Sequence, residues 1–99
     1  MLKQAHLYIK GDVIGVGFRA WVKIQAKING AKGWVRNNFE NEHIFGKGGG
    51  VEILLQAEEE VVKKMMELIK EGPPVSRVDD LEVYWQEPRE IFEEFEIRK

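Results

Sequence analysis

Gly11-Asp12-Val13-Ile14-Gly15-Val16-Gly17-Phe18-Arg19 joins a run of alternating apolar and polar residues to one with helical spacing, and so reads as a strand-to-helix turn. Gly11, Gly15 and Gly17 give its backbone access to positive φ and to close approach by a ligand. Successive amides in such a turn converge, and the helix that follows adds the positive end of its dipole. These are the parts of an anion cradle, with phosphate its usual guest. Arg19 closes the stretch with a planar, permanently charged fork suited to two phosphate oxygens. A dinucleotide fingerprint is the rival, because Gly15-Val16-Gly17-Phe18-Arg19-Ala20 fits G-x-G-x-x-A. That motif requires an acid about 20 residues further on. Val35, Arg36, Asn37 and Asn38 stand there instead, and the nucleotide reading is set aside.

Outward from the turn, residues 2–10 alternate, with Ala5, Leu7 and Ile9 on one side of a half-buried strand. On the other flank Trp21, Ile24 and Ile28 fall at helical spacing, predicting the apolar face of a helix that ends at Asn29-Gly30. Residues 31–37 (AKGWVRN) form a short strand. Residues 38–50 have neither periodicity and read as a long loop. Val51, Ile53, Leu55 and Ala57 alternate as a strand, and Glu58-Glu59-Glu60 open a helix whose apolar stripe is Val62, Met65, Met66 and Ile69. Gly72-Pro73-Pro74 stop that helix. Leu81, Val83 and Trp85 give a fourth strand, and Phe95 with Ile97 a short fifth. The order predicts an α+β, ferredoxin-like βαββαβ sandwich: one antiparallel sheet of four to five strands with two helices on one face, spanning 1–99 as a single domain.

The composition is that of a globular chain, 43% hydrophobic and 32% charged. The absence of cysteine excludes disulfides, thiolate metal sites and cysteine nucleophiles. No apolar run approaches a bilayer span and the first residues lack a signal-peptide core, so a cytoplasmic protein away from membranes is expected. The net charge of −2 is divided: residues 1–38 carry seven bases against Asp12 alone, and the remainder eight bases against sixteen acids. The positive part holds the cradle, which would draw a small anion. A nucleic-acid module is another reading of such asymmetry, with Tyr8 as a stacking candidate. The sheet shows no dense aromatic pattern in sequence, so nucleic acid is not expected.

Taken together, these residues resemble the acylphosphatase family over nearly the whole chain. The family's first motif, G-x-V-Q-G-V-x-F-R, stands here as residues 11–19, and its second, G-W-V-x-N, as Gly33-Trp34-Val35-Arg36-Asn37. Gly72-Pro73-Pro74 with Val78 also fits the family's pattern after its second helix. The resemblance implies metal-independent hydrolysis of the carboxyl–phosphate bond of an acyl phosphate, without cofactor or covalent intermediate. It implies that the backbone of Ile14, Gly15, Val16, Gly17 and Phe18, with the side chain of Arg19, holds the phosphoryl group. It further implies that Asn37 orients the attacking water, so that Arg19 and Asn37 are the catalytic pair. A small acyl phosphate is then the substrate, inorganic phosphate or sulfate a product-like ligand, and a monomer the expected state.

Ile14 stands where the family usually has glutamine, Asp12 sets an acid near the expected anion, and residues 38–50 are longer than the usual turn. These departures motivate an alternative: a non-catalytic phosphate-binding regulatory domain of the same fold. The long segment is expected to be a loose hairpin tip whose excess residues could be deleted with little effect on melting or turnover. Arg36 is expected on the sheet face opposite Asn37, and His6 and His43 as isolated surface or loop histidines.

Overall fold

The computed structural model describes residues 1–99. Strands β1 (Leu2–Asp12), β2 (Lys32–Asn38), β3 (Gly50–Glu58), β4 (Arg77–Gln86) and β5 (Phe95–Arg98) form one sheet in the order β4-β1-β3-β2-β5. Helix α1 (Phe18–Asn29) follows β1, a single turn α2 (Glu42–Phe45) lies between β2 and β3, and α3 (Glu59–Glu71) follows β3. This is the expected βαββαβ order with a terminal strand. The sheet is mixed rather than wholly antiparallel. β1, β2, β3 and β4 pair antiparallel, whereas β5 lies parallel to β2, Val35 opposite Ile97. The segment between β4 and β5 crosses from one edge of the sheet to the other, so that β5 pairs with β2 and not with β4. No helix is long and apolar enough to cross a membrane.

Alternation in β1 and β3 places Ala5, Leu7, Ile9, Val51, Ile53 and Leu55 on one face, all fully buried. Helix α3 seals them with Val62, Met65 and Ile69, as its spacing predicts. Helix α1 departs from expectation. Its buried line is Phe18, Val22 and Ala26, whereas Ile24 and Ile28 are 55% and 71% exposed. Gly17, at φ 77°, delivers Phe18 into the core and so sets the phase of the helix. At about 100° per residue Val22 and Ala26 stay on that line, and Ile24 and Ile28 rotate away.

Residues 38–50 are not a loose tip. Phe45 is buried, its ring set against Tyr8 on the sheet face turned away from α1 and α3. That face is therefore partly covered, and Glu52, Leu54 and Gln56 of β3 are buried there. The segment after β4 covers another part: Gln56 Nε2 donates to the Glu90 carbonyl, and the Phe92 amide donates to Gln56 Oε1. Aromatic packing on this face is denser than the sequence suggests. His6 stacks on Tyr8, and Tyr8 also meets Tyr84. These rings come from three separate segments, β1, α2 and β4, which local alternation cannot bring together. They pack on one another, and Tyr84 at the edge strand remains half exposed.

Candidate active site

The turn between β1 and α1 has the geometry its glycines imply. Gly15 and Gly17 take φ 76° and 77°, a left-handed conformation in which side chains are strained. The amides of Ile14, Gly15, Val16 and Gly17 donate to no other group of the chain. Helix α1 starts with no side-chain cap and no acid in its first turn, so its terminal amides and dipole are unopposed. Val16 and Ile14 pack their side chains at the edge of the core. Their contribution to an anion site is confined to backbone donors, and isoleucine in place of glutamine leaves those donors intact.

Arg19, on the first turn of α1, lines two recesses. One runs over the turn itself, with Val13, Gly15, Gly17, Phe18 and Ile97. The other is a cleft of about 350 Å³ whose walls include Asn37, Asn38, Phe39 and Glu40 at the end of β2, with Arg36 and Lys99. Arg19 thus bridges the amide-rich turn and Asn37. Asn37 makes no side-chain hydrogen bond, and its Oδ1 is buried without a partner, an unsatisfied acceptor of the kind that marks a functional group. Asp12 lines a groove with Lys10, Ile14, Arg77 and Asp79, and neither recess that Arg19 lines includes it.

Asn37 owes its place to β2. Gly33 opens that strand at φ 131°, and a Cβ there would collide with the Leu54 carbonyl oxygen of β3. The glycine thereby permits close pairing of the two strands that carry Asn37 opposite Val51. Arg36 and Asn38 face the other way, as alternation requires, and both donate to Glu52 Oε1: Arg36 Nε at 2.8 Å and Asn38 Nδ2 at 2.9 Å. His6 Nε2 donates to Glu52 Oε2, because an ionised carboxylate only accepts. Burial by itself would raise the Glu52 pKa. The bonds from His6, Asn38 and Arg36, and the Arg36 charge, outweigh it and hold the carboxyl at about 2. His6 is thus a half-buried partner of a carboxylate rather than an isolated surface residue.

Arg36 reaches the cleft margin even while paired, although its strand position had placed it outside the site. Sequence reasoning also missed Asn38, Phe39, Glu40 and Lys99 as lining residues. Glu52 had a usable signal. It is the one acid inside the apolar run from Val51 to Leu55, and hairpin register sets it opposite Arg36.

A model of the acylphosphatase family matches residues 5–97. The acylphosphatase of Pyrobaculum aerophilum is 41% identical over 96 residues, covering 97% of this chain and 94% of the relative. The crystal structure of the acylphosphatase from Bacillus subtilis superposes with a TM-score of 0.86 at 33% identity, covering all of both chains. Full-length HypF, in its phosphate- and nucleotide-bound form, contains a similar unit: TM-score 0.85 at 30% identity, covering all of this chain and 12% of HypF. In sequence and in structure, across almost its whole length, the chain belongs to the acylphosphatase family of enzymes.

Proposed function

We propose that this enzyme performs acyl phosphate hydrolysis with the amides of residues 14–18 and Arg19 as the phosphoryl clamp and Asn37 as the water-orienting group. The single observation that supports it most is the convergence of Arg19 and Asn37 on one cleft, beside a turn with unpaired amides, with Asn37 Oδ1 left without a partner. In this reading the phosphoryl oxygens accept from the amides and the guanidinium, which lie preorganised where charge spreads in the transition state. Asn37 Oδ1 accepts a hydrogen bond from the water and fixes its line of approach. The water oxygen bonds to phosphorus, the bond from phosphorus to the acyl oxygen breaks, and the carboxylate leaves with that electron pair. A carboxylate is a good leaving group, so positioning supplies most of what is needed. Asn37 cannot take a proton at neutral pH. The water proton passes to a phosphoryl oxygen of the substrate, and inorganic phosphate is released.

The reading includes a single domain over 1–99 acting as a cytoplasmic monomer without metal or cofactor. The test is hydrolysis of benzoyl phosphate in EDTA by the wild type, Arg19→Ala and Asn37→Ala. Turnover that is indifferent to EDTA and falls by about 100-fold or more in each folded variant is expected, since each removes transition-state positioning or charge stabilisation. A wild type that binds phosphate but turns nothing over would favour the regulatory-domain alternative, for which the likeness to a small part of HypF is the supporting observation.

A further inference from the structure

Asn37 has no side-chain hydrogen bond of its own to hold it. Its orientation must come from its backbone, and both neighbours in the strand are tied to the same carboxylate. Arg36 and Asn38 each donate to Glu52 Oε1, from either side of Asn37 and on the sheet face opposite to it. The tie continues past the strand: Asn38 Oδ1 accepts from the amides of Glu40 and Asn41, and Asn38 Nδ2 also donates to Asn41 Oδ1. The turn that carries Phe39 and Glu40 round the cleft is thereby fixed to the same point. On the far side His6, in β1, anchors Glu52 Oε2. Glu52 itself is buried and lies outside the cleft, so it has no route to the reacting atoms.

We propose that Glu52 is a positioning residue for Asn37: by holding Arg36 and Asn38 it sets the angle at which Asn37 presents Oδ1 to the attacking water. The geometry is that of a strand clamped at two successive same-face residues, which leaves the residue between them one orientation on the other face. The inference rests on the proposed role of Asn37. It concerns the water and not the phosphate, because Arg19 and the turn amides share no partner with Glu52.

The test is a double-mutant cycle on benzoyl phosphate hydrolysis with Asn37→Ala, Glu52→Ala, their combination, and Glu52→Gln. Inhibition by inorganic phosphate is measured in each as a readout of the clamp. Glu52→Ala is expected to lower kcat by about 10- to 100-fold, the scale of an ångström of misplacement, with KM and phosphate inhibition within about twofold of wild type. Glu52→Gln keeps an oxygen for Arg36 and Asn38 and is expected to recover most of kcat. In the Asn37→Ala background the Glu52 change should cost nothing further, an outcome that general loosening of the fold would not give. A folded Glu52→Ala with wild-type kcat, or a loss that adds in full to that of Asn37→Ala, overturns the proposal. If Asn37→Ala itself retains turnover, the failure lies in the role given to Asn37. Should Glu52→Ala not fold, Asn38→Ala takes its place in the same cycle, with the same expected loss of kcat and the same non-additivity.

Discussion

Val51, Ile53 and Leu55 on one face of β3, and Glu52, Leu54 and Gln56 on the other, are all buried, but by different means. The first set packs under α1 and α3 with no polar atom to satisfy, so its stability scales with apolar area and tolerates small shifts. The second set lies under α2 and the segment before β5, and two of its three members are polar. Glu52 accepts from His6, Arg36 and Asn38, while Gln56 donates to Gln4 and accepts from the Phe92 amide. Directional bonds fix positions that apolar contact leaves loose, and a half-satisfied set is worse than none. The difference shows which face serves which purpose. The helix side supplies cohesion, and the opposite side sets the exact course of the strand end that carries Asn37.

Truncation has the largest expected effect on either face. Ile53→Ala, in the helix-side core, is expected to lower the unfolding free energy by about 2–5 kcal/mol, and Phe45→Ala, on the opposite side, by about 3 kcal/mol. Urea unfolding of both variants measures this. A Phe45→Ala variant as stable as the wild type would mean that the 38–50 excursion is a loose tip after all.

The helix-side face was legible because it repeats. Period two in β1 and β3 and period 3.6 in α3 mark Leu7, Ile53 and Met65 as core, and the glycines of residues 11–17 mark the turn by their backbone freedom. The phase of α1 was not legible, since Phe18 is steered by the conformation of Gly17 rather than by the helix's own pattern. Nor was the opposite face. The partners of Glu52 come from β1, β2 and the turn after β2, and only pairing register brings them together. Arg19 and Asn37 stand out in their motifs, but the cleft margin formed by Phe39, Glu40 and Lys99 depends on how the excursion folds back and how β5 ends.

Acid offers a gentler way to disturb one face and spare the other. Glu52 holds its proton at about pH 2 in the fold against 4.5 in the free side chain. Its contribution is therefore complete above about pH 4.5 and lost as the pH falls towards 2, when the native state must take up the proton. The shift sets an upper bound of about 3 kcal/mol on that loss. Urea unfolding at a series of pH values should show the decline in the wild type and a shallower one in Glu52→Gln. Equal slopes would assign the acid sensitivity to other carboxylates.

The smallest effect is expected where neither face is touched. Ile24 and Ile28 form an apolar pair on the outer side of α1, and Ile28→Lys should change stability by no more than about 0.5 kcal/mol. Lysine is the better helix former and sits near the C-terminal end of the dipole, so the sign is expected to be neutral or favourable. Turnover should be unchanged, because Ile28 lies at the opposite end of α1 from Arg19. Thermal melts at two protein concentrations sharpen the point. If the wild type melts higher when concentrated and Ile28→Lys does not, this stripe is covered by a second copy of the chain, and the outer surface of α1 becomes a third packed face. Melts that coincide at both concentrations leave two faces to explain the fold, and an isoleucine pair that water tolerates at little cost.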